Sequence, residues 1–156
     1  MIQRIQTLYM SIVVIACISL FFFPITKYLN DVQGTYVFFI TGMKYMIEPP
    51  ITVNFWLTFP LLLLVVFTLL LAVAAIFLYK KRGLQLWLVN ISFLLHVILI
   101  ILIFLYYLNH FETLFNAKPS YQFAIFIPLI SLVCIILASR AIRKDEALVR
   151  SSDRLR

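Results

Sequence analysis

Two long apolar runs dominate the chain, residues 55–79 and 84–108, separated only by Lys80, Lys81, Arg82 and Gly83. At about 1.5 Å per residue, a helix over either run is longer than the roughly 30 Å hydrocarbon core of a bilayer. The pattern therefore predicts two membrane-spanning helices joined by a short basic turn. Further apolar runs at residues 5–23, ended by Pro24, and 121–139 predict a span on either side. The expected fold is an all-α membrane protein with four transmembrane helices in a single domain. Three adjacent cations between two spans are costly to move across a membrane, so the positive-inside rule places that turn, the N-terminus and the C-terminus in the cytoplasm.

Residues 24–54 then form an outer loop. Gly34 and Gly42 bracket a β-branched and aromatic run, Thr35 to Thr41, and Lys44 to Ile47 is a candidate partner strand, which predicts a short β-hairpin. Pro49 and Pro50 stop regular structure before the next span. This loop reads either as a recognition flap or, preferably, as a compact connector with an aromatic edge at the lipid headgroups. A second outer loop covers residues 109–120.

Composition narrows the class. With 64% hydrophobic residues, 12% charged and a mean hydropathy of +1.06, a water-soluble domain of 156 residues could not cover its apolar surface. The net charge of +7 raises nucleic acid as a partner, but its distribution argues against one. Arg4, Lys80, Lys81, Arg82, Arg140, Arg143, Lys144, Arg150, Arg154 and Arg156 all fall in segments assigned to the cytoplasm; Lys27, Lys44 and Lys118 lie opposite, balanced by Asp31, Glu48 and Glu112. The excess charge is first a topology signal. The first run also resembles a secretory signal with a loose lipoprotein box at Val14 to Cys17, yet Ile18 to Phe23 continue the apolar run where a processed protein would turn polar, so an uncleaved span is preferred.

Polar and small residues within the spans supply candidate chemistry. In the second span Thr68, Ala72, Ala75 and Tyr79 share a face suited to close helix approach, and Pro60 reads as a structural kink in preference to a gate. Ala124, Pro128, Ser131 and Ala138 form a similar seam in the fourth. In the third, Gln85, Ser92, His96 and His110 are separated by seven, four and fourteen residues, which an α-helix puts on one face. An ionisable group at membrane depth is a functional hypothesis by default. His96 is read as a proton relay or substrate contact on one side, and as a hydrogen-bonded neutral imidazole on the other; no Asp or Glu in any span can partner a relay, which favours the second. Cys17 and Cys134 are read as small hydrophobes.

The tail, residues 140–156, contains no Gly or Pro and predicts a helical extension of the last span. Its mixture of signs leaves three readings open: rest on anionic lipids, docking of a cytoplasmic partner, or a plain stop-transfer anchor.

The opening MIQRIQTLY, the turn YKKRGLQ and the ending ILASRAIRKDEALVRSSDRLR resemble a family of small bacterial four-span membrane proteins defined only as a domain of unknown function. The resemblance covers essentially the whole chain. It implies a four-helix protein of a Gram-negative inner membrane, carries over no cofactor or catalytic residue, and suggests Arg140, Arg143, Lys144, Asp145, Glu146, Arg150, Asp153 and Arg154 as a functional surface. The chain also shows no glycine-rich phosphate loop, no paired carboxylates, no nucleophile–base–acid set and no metal-ligand spacing, so an enzyme is not expected and no cofactor is assigned. A lipid-headgroup enzyme near His110 and Glu112 is the least favoured reading. The expected function is a non-catalytic accessory or scaffolding subunit of a larger inner-membrane assembly, with other membrane proteins and anionic lipids as partners and no nucleic acid. The alternative is a small homo-oligomeric transporter or channel using the Gln85, Ser92, His96, His110 face.

Overall fold

The computed structural model describes residues 3–30, 34–45, 55–79 and 81–153. Among them run α1 (Gln3–Ser19), β1 (Thr26–Asn30), β2 (Gly34–Phe39), β3 (Gly42–Tyr45), α2 (Phe55–Phe77), α3 (Arg82–Ile101), α4 (Leu108–Phe115), β4 (Pro119–Tyr121) and α5 (Ile127–Asp153). A π-helical stretch, Leu102–Tyr107, fuses α3 and α4 into one continuous helix of 34 residues. The helices close a ring in which α1 packs on α2 and α5, and α3 packs on α2 and α5.

Each helix contributes one narrow buried stripe. In α2 it is Thr58, Leu61, Val65, Thr68, Ala72 and Ala75, repeating every three or four residues as helical periodicity requires. The outward faces carry large apolar side chains, among them Phe67, Leu70, Phe77, Leu94 and Leu105. Such a surface is unfavourable in water and is what contact with lipid tails requires. Three helical segments, Phe55–Phe77, Arg82–Phe115 and Phe123–Val149, are long and apolar enough to cross a membrane. α1, with 17 residues, is shorter, about 25 Å at the α-helical rise.

The small-residue seams face inward, except at Tyr79, which is exposed. Ala72, Ala75, Ala124, Ser131 and Ala138 are all buried inside the ring. They let the four helices approach one another, so their packing partners lie within this chain. α1 and α5 are neighbours, yet Cys17 and Cys134 are free thiols, and the Cys17 Sγ lies 3.8 Å from the Thr68 hydroxyl of α2.

One end of the ring is capped by a sheet, which corrects the all-α expectation. The strand order is β3-β2-β1-β4, antiparallel throughout. The predicted hairpin is its outer half, with Phe38 opposite Met43 and Phe39 opposite Gly42, whose φ of 142° suits a residue without a Cβ. The candidate residues Met46 to Ile47 and the Pro49-Pro50 break lie outside the described residues. β1 and β4 come from segments that the hydrophobic pattern does not mark as strands. The sheet's inner face sets Tyr28, Tyr36 and Phe38 against Tyr107, Phe111 and Phe115 of the long helix.

Three boundaries also shift. The first helix ends at Ser19, short of residue 23: the Ser19 hydroxyl turns back to the Ala16 carbonyl at 2.8 Å, and residues 20–23 fold as tight turns before Pro24. The third helix continues through most of the expected loop at 109–120 and stops at Asn116, which takes the left-handed conformation common at helix ends. The last helix begins later than residue 121, because Tyr121 pairs with Thr26 in the sheet.

Candidate functional site

The end of the ring opposite the sheet is held by polar contacts that reach all four helices. Arg82, at the start of α3, places Nη2 3.5 Å from the Asp145 carboxylate, and its Nη1 donates to the Asp145 carbonyl at 3.2 Å. Gln6 of α1 donates to the Ala141 carbonyl at 3.4 Å, and Gln85 donates to the Ala75 carbonyl of α2 at 3.0 Å. Ile142 is fully buried beside this clasp. α5 therefore continues unbroken from its apolar part into the charged tail, with Ile142 and Asp145 turned into the protein.

This placement divides the eight charged tail candidates. Asp145 is buried and committed to Arg82, so it leaves the docking surface suggested for it. Arg140, Arg143 and Lys144 are exposed, and Glu146 is half-buried. Arg150 and Asp153 belong to the helix, and Arg154 lies outside the described residues.

The polar face of the third helix is brought together only in part. Gln85, Ser92 and His96 lie on the buried stripe with Val89 and Leu99. His96 is fully buried, with Nδ1 3.3 Å from the Ser92 carbonyl oxygen; the tautomer that donates there leaves Nε2 as an acceptor. His96 Nε2, Ser92 Oγ and Gln85 Oε1 have no hydrogen-bond partner among the described residues. His110 is not on this face. The buried positions continue at Ile103, Tyr107, Phe111 and Phe115, because the π turn at Leu102–Tyr107 accommodates an additional residue and rotates everything beyond it by about 100°. His110 instead stacks on Tyr106, with ring centroids 5.7 Å apart and planes 4° apart.

Near Pro60 the Leu57 carbonyl accepts a 2.7 Å hydrogen bond from Tyr107, so a neighbouring helix supplies a partner beside the proline, in keeping with a structural role. A shallow apolar groove of about 730 Å³ runs between α1 and α2 past Leu8, Ile12 and Phe77. Among the described residues no three His, Cys, Asp or Glu side chains converge as metal ligands.

Three helical segments long and apolar enough to cross a membrane, with a folded cap at one end and charge at the other, are compatible with a helical membrane protein. The chain belongs to the family described as a domain of unknown function, DUF4293, whose model matches residues 2–155. No curated protein matches it.

Proposed function

We propose that this protein is a non-catalytic accessory or scaffolding subunit of a larger assembly in a bacterial inner membrane. On this reading α1 also crosses the bilayer, giving four spans with both termini in the cytoplasm and the sheet on the outer side. The outward apolar surface packs against lipid and other membrane proteins, and α5 presents a rigid docking platform to a cytoplasmic partner. The observation that carries the reading is the clasp. α5 runs on to Asp153, well past its apolar segment, and is fixed from beneath by Arg82 and Gln6, while Lys144, Leu148 and Val149 face outward. A stop-transfer anchor needs neither the length nor the clasp.

The test is affinity purification in mild detergent. Truncation after Ser139 is unsuitable, because it would remove the buried Ile142 and Asp145. Lys144→Glu combined with Leu148→Asp alters only exposed positions. The platform predicts that this variant remains monodisperse and loses partners retained by the wild type; unchanged partners, or none with either form, would contradict it.

A second reading is a homo-oligomeric transporter, supported by the unpartnered polar atoms of Gln85, Ser92 and His96 inside the ring. His96→Leu separates the two: it abolishes flux across a liposome membrane in a transporter and leaves partner recovery unchanged in a scaffold.

A further inference from the structure

Between α3 and α5, at the clasped end, lies a crevice of about 200 Å³. Its apolar part is formed by the exposed Phe93, Ile136 and the fully buried Ile135, and its polar mouth by Asn90, Ser139, Arg140 and Arg143. Ser139 and Asn90 face each other across the mouth, with Oγ to Oδ1 at 3.5 Å. Arg140 and Arg143 are three residues apart on one helix, Ser139 and Arg143 four apart, so the three side chains emerge on the same side.

We propose that this crevice is a binding site for one anionic phospholipid, its phosphate held by Arg140 and Arg143 and the upper part of an acyl chain lying on Phe93 and Ile135. Four observations converge on that occupant. First, the lining carries two cations and no acid. Second, neither arginine forms an ion pair among the described residues, and the Asp145 carboxylate is held by Arg82. Third, the polar-to-apolar gradient falls where α5 passes from its apolar segment into its charged tail, the level at which headgroups meet hydrocarbon in an embedded helix. Fourth, the volume is below the roughly 300–1,000 Å³ of a pocket that encloses a whole small ligand, but a phosphate with adjoining glycerol needs only a partial cradle. Guanidinium groups also match phosphate oxygens with paired N–H donors, which an ammonium cannot do.

The site rests on the membrane-embedded reading and not on the partner-docking one, so each can fail without the other. The test uses full-length protein in nanodiscs and in detergent, with native mass spectrometry reading the retention of phosphatidylglycerol against phosphatidylethanolamine. The wild type is expected to retain phosphatidylglycerol preferentially. Arg140→Gln with Arg143→Gln is expected to lower that preference about thirtyfold, and Arg143→Gln alone about fivefold, because each removes a charge-assisted contact to the bound phosphate. Lys144→Gln removes the same charge one residue away, outside the crevice, and is expected to change retention less than twofold. Equal losses from Arg143→Gln and Lys144→Gln would show diffuse attraction to the surface and overturn the site. So would a wild type that does not distinguish the two lipids, or displacement of bound lipid by glycerophosphoglycerol alone at the lipid's own concentration, which would identify a soluble phosphate ligand. Binding that survives Arg140→Lys with Arg143→Lys at reduced strength, and is lost on the Gln substitutions, supports the paired-donor geometry.

Discussion

The two ends of the helix ring are closed by opposite means. At the sheet end, aromatic rings from β1 and β2 pack on those of the long helix: Tyr36 stacks on Phe115 at 4.0 Å between centroids, and Phe38 lies tilted against Phe111 at 4.9 Å. At the other end a few directed contacts, Arg82 to Asp145, Gln6 to Ala141 and Gln85 to Ala75, do the same work with little buried area. The apolar burial that dominates the cap is non-directional and scales with area, while hydrogen-bonded charge depends closely on geometry. The cap is therefore suited to simple closure, and the clasp to holding a charged helix at a set angle.

The cap should be the more costly end to damage. Phe111 touches Tyr28, Phe38, Tyr107 and Phe115, so Phe111→Ala is expected to cost about 3–5 kcal/mol, seen as a large fall in the thermal unfolding midpoint in detergent. Asp145→Ala should cost less, about 1–3 kcal/mol, between the values for exposed and fully buried pairs, because both side chains keep some contact with solvent. A loss at Asp145 equal to that at Phe111 would erase the contrast between the ends.

Between the two lies the stripe of Gln85, Ser92 and His96. Since the buried Ser92 hydroxyl has no partner among the described residues, Ser92→Ala should leave stability unchanged or raise it by up to about 1 kcal/mol in the same melting assay. A clear destabilisation would instead point to an interior polar path in use, and would strengthen the transport reading.

A further effect is expected at high pH, where the cap loses the advantage of a buried phenol. Burial pushes the Tyr28 phenol up from 10 to about 12, and its hydroxyl reaches the Leu108 carbonyl at 3.5 Å. The folded state thus keeps a proton that the unfolded state gives up more readily. Its contribution is fully present below pH 10 and is lost as pH rises from 10 towards 12. Tyr28→Phe should reduce that alkaline slope in a stability–pH profile; an identical slope in the variant would assign it to other groups.

The helices were legible because length and apolarity alone specify them, and the hairpin because Gly34 and Gly42 punctuate a β-branched run. The cap was not legible. Thr26 to Asn30 includes Lys27 and Asn30 with no clean alternation, and Pro119 to Tyr121 is only three residues long; β1 becomes a strand through pairing with β2 and β4, and β4 through pairing with β1. α-Helical periodicity puts Gln85, Ser92 and His96 on one buried stripe, and it would add His110. The π turn that carries His110 away from this stripe has no reliable signature in apolar sequence. The inward turn of Asp145 was also hidden, since it depends on Arg82, 63 residues away.

The central claim is that α5 is held rigid beyond its apolar segment by the clasp. Amide hydrogen exchange of the full-length protein in nanodiscs, wild type beside Asp145→Asn, tests it most directly. The claim predicts strong protection across residues 140–147 in the wild type, lost from that stretch in the variant while the sheet and α4 remain unchanged. Exchange in the wild-type tail as fast as in an unstructured peptide would contradict it.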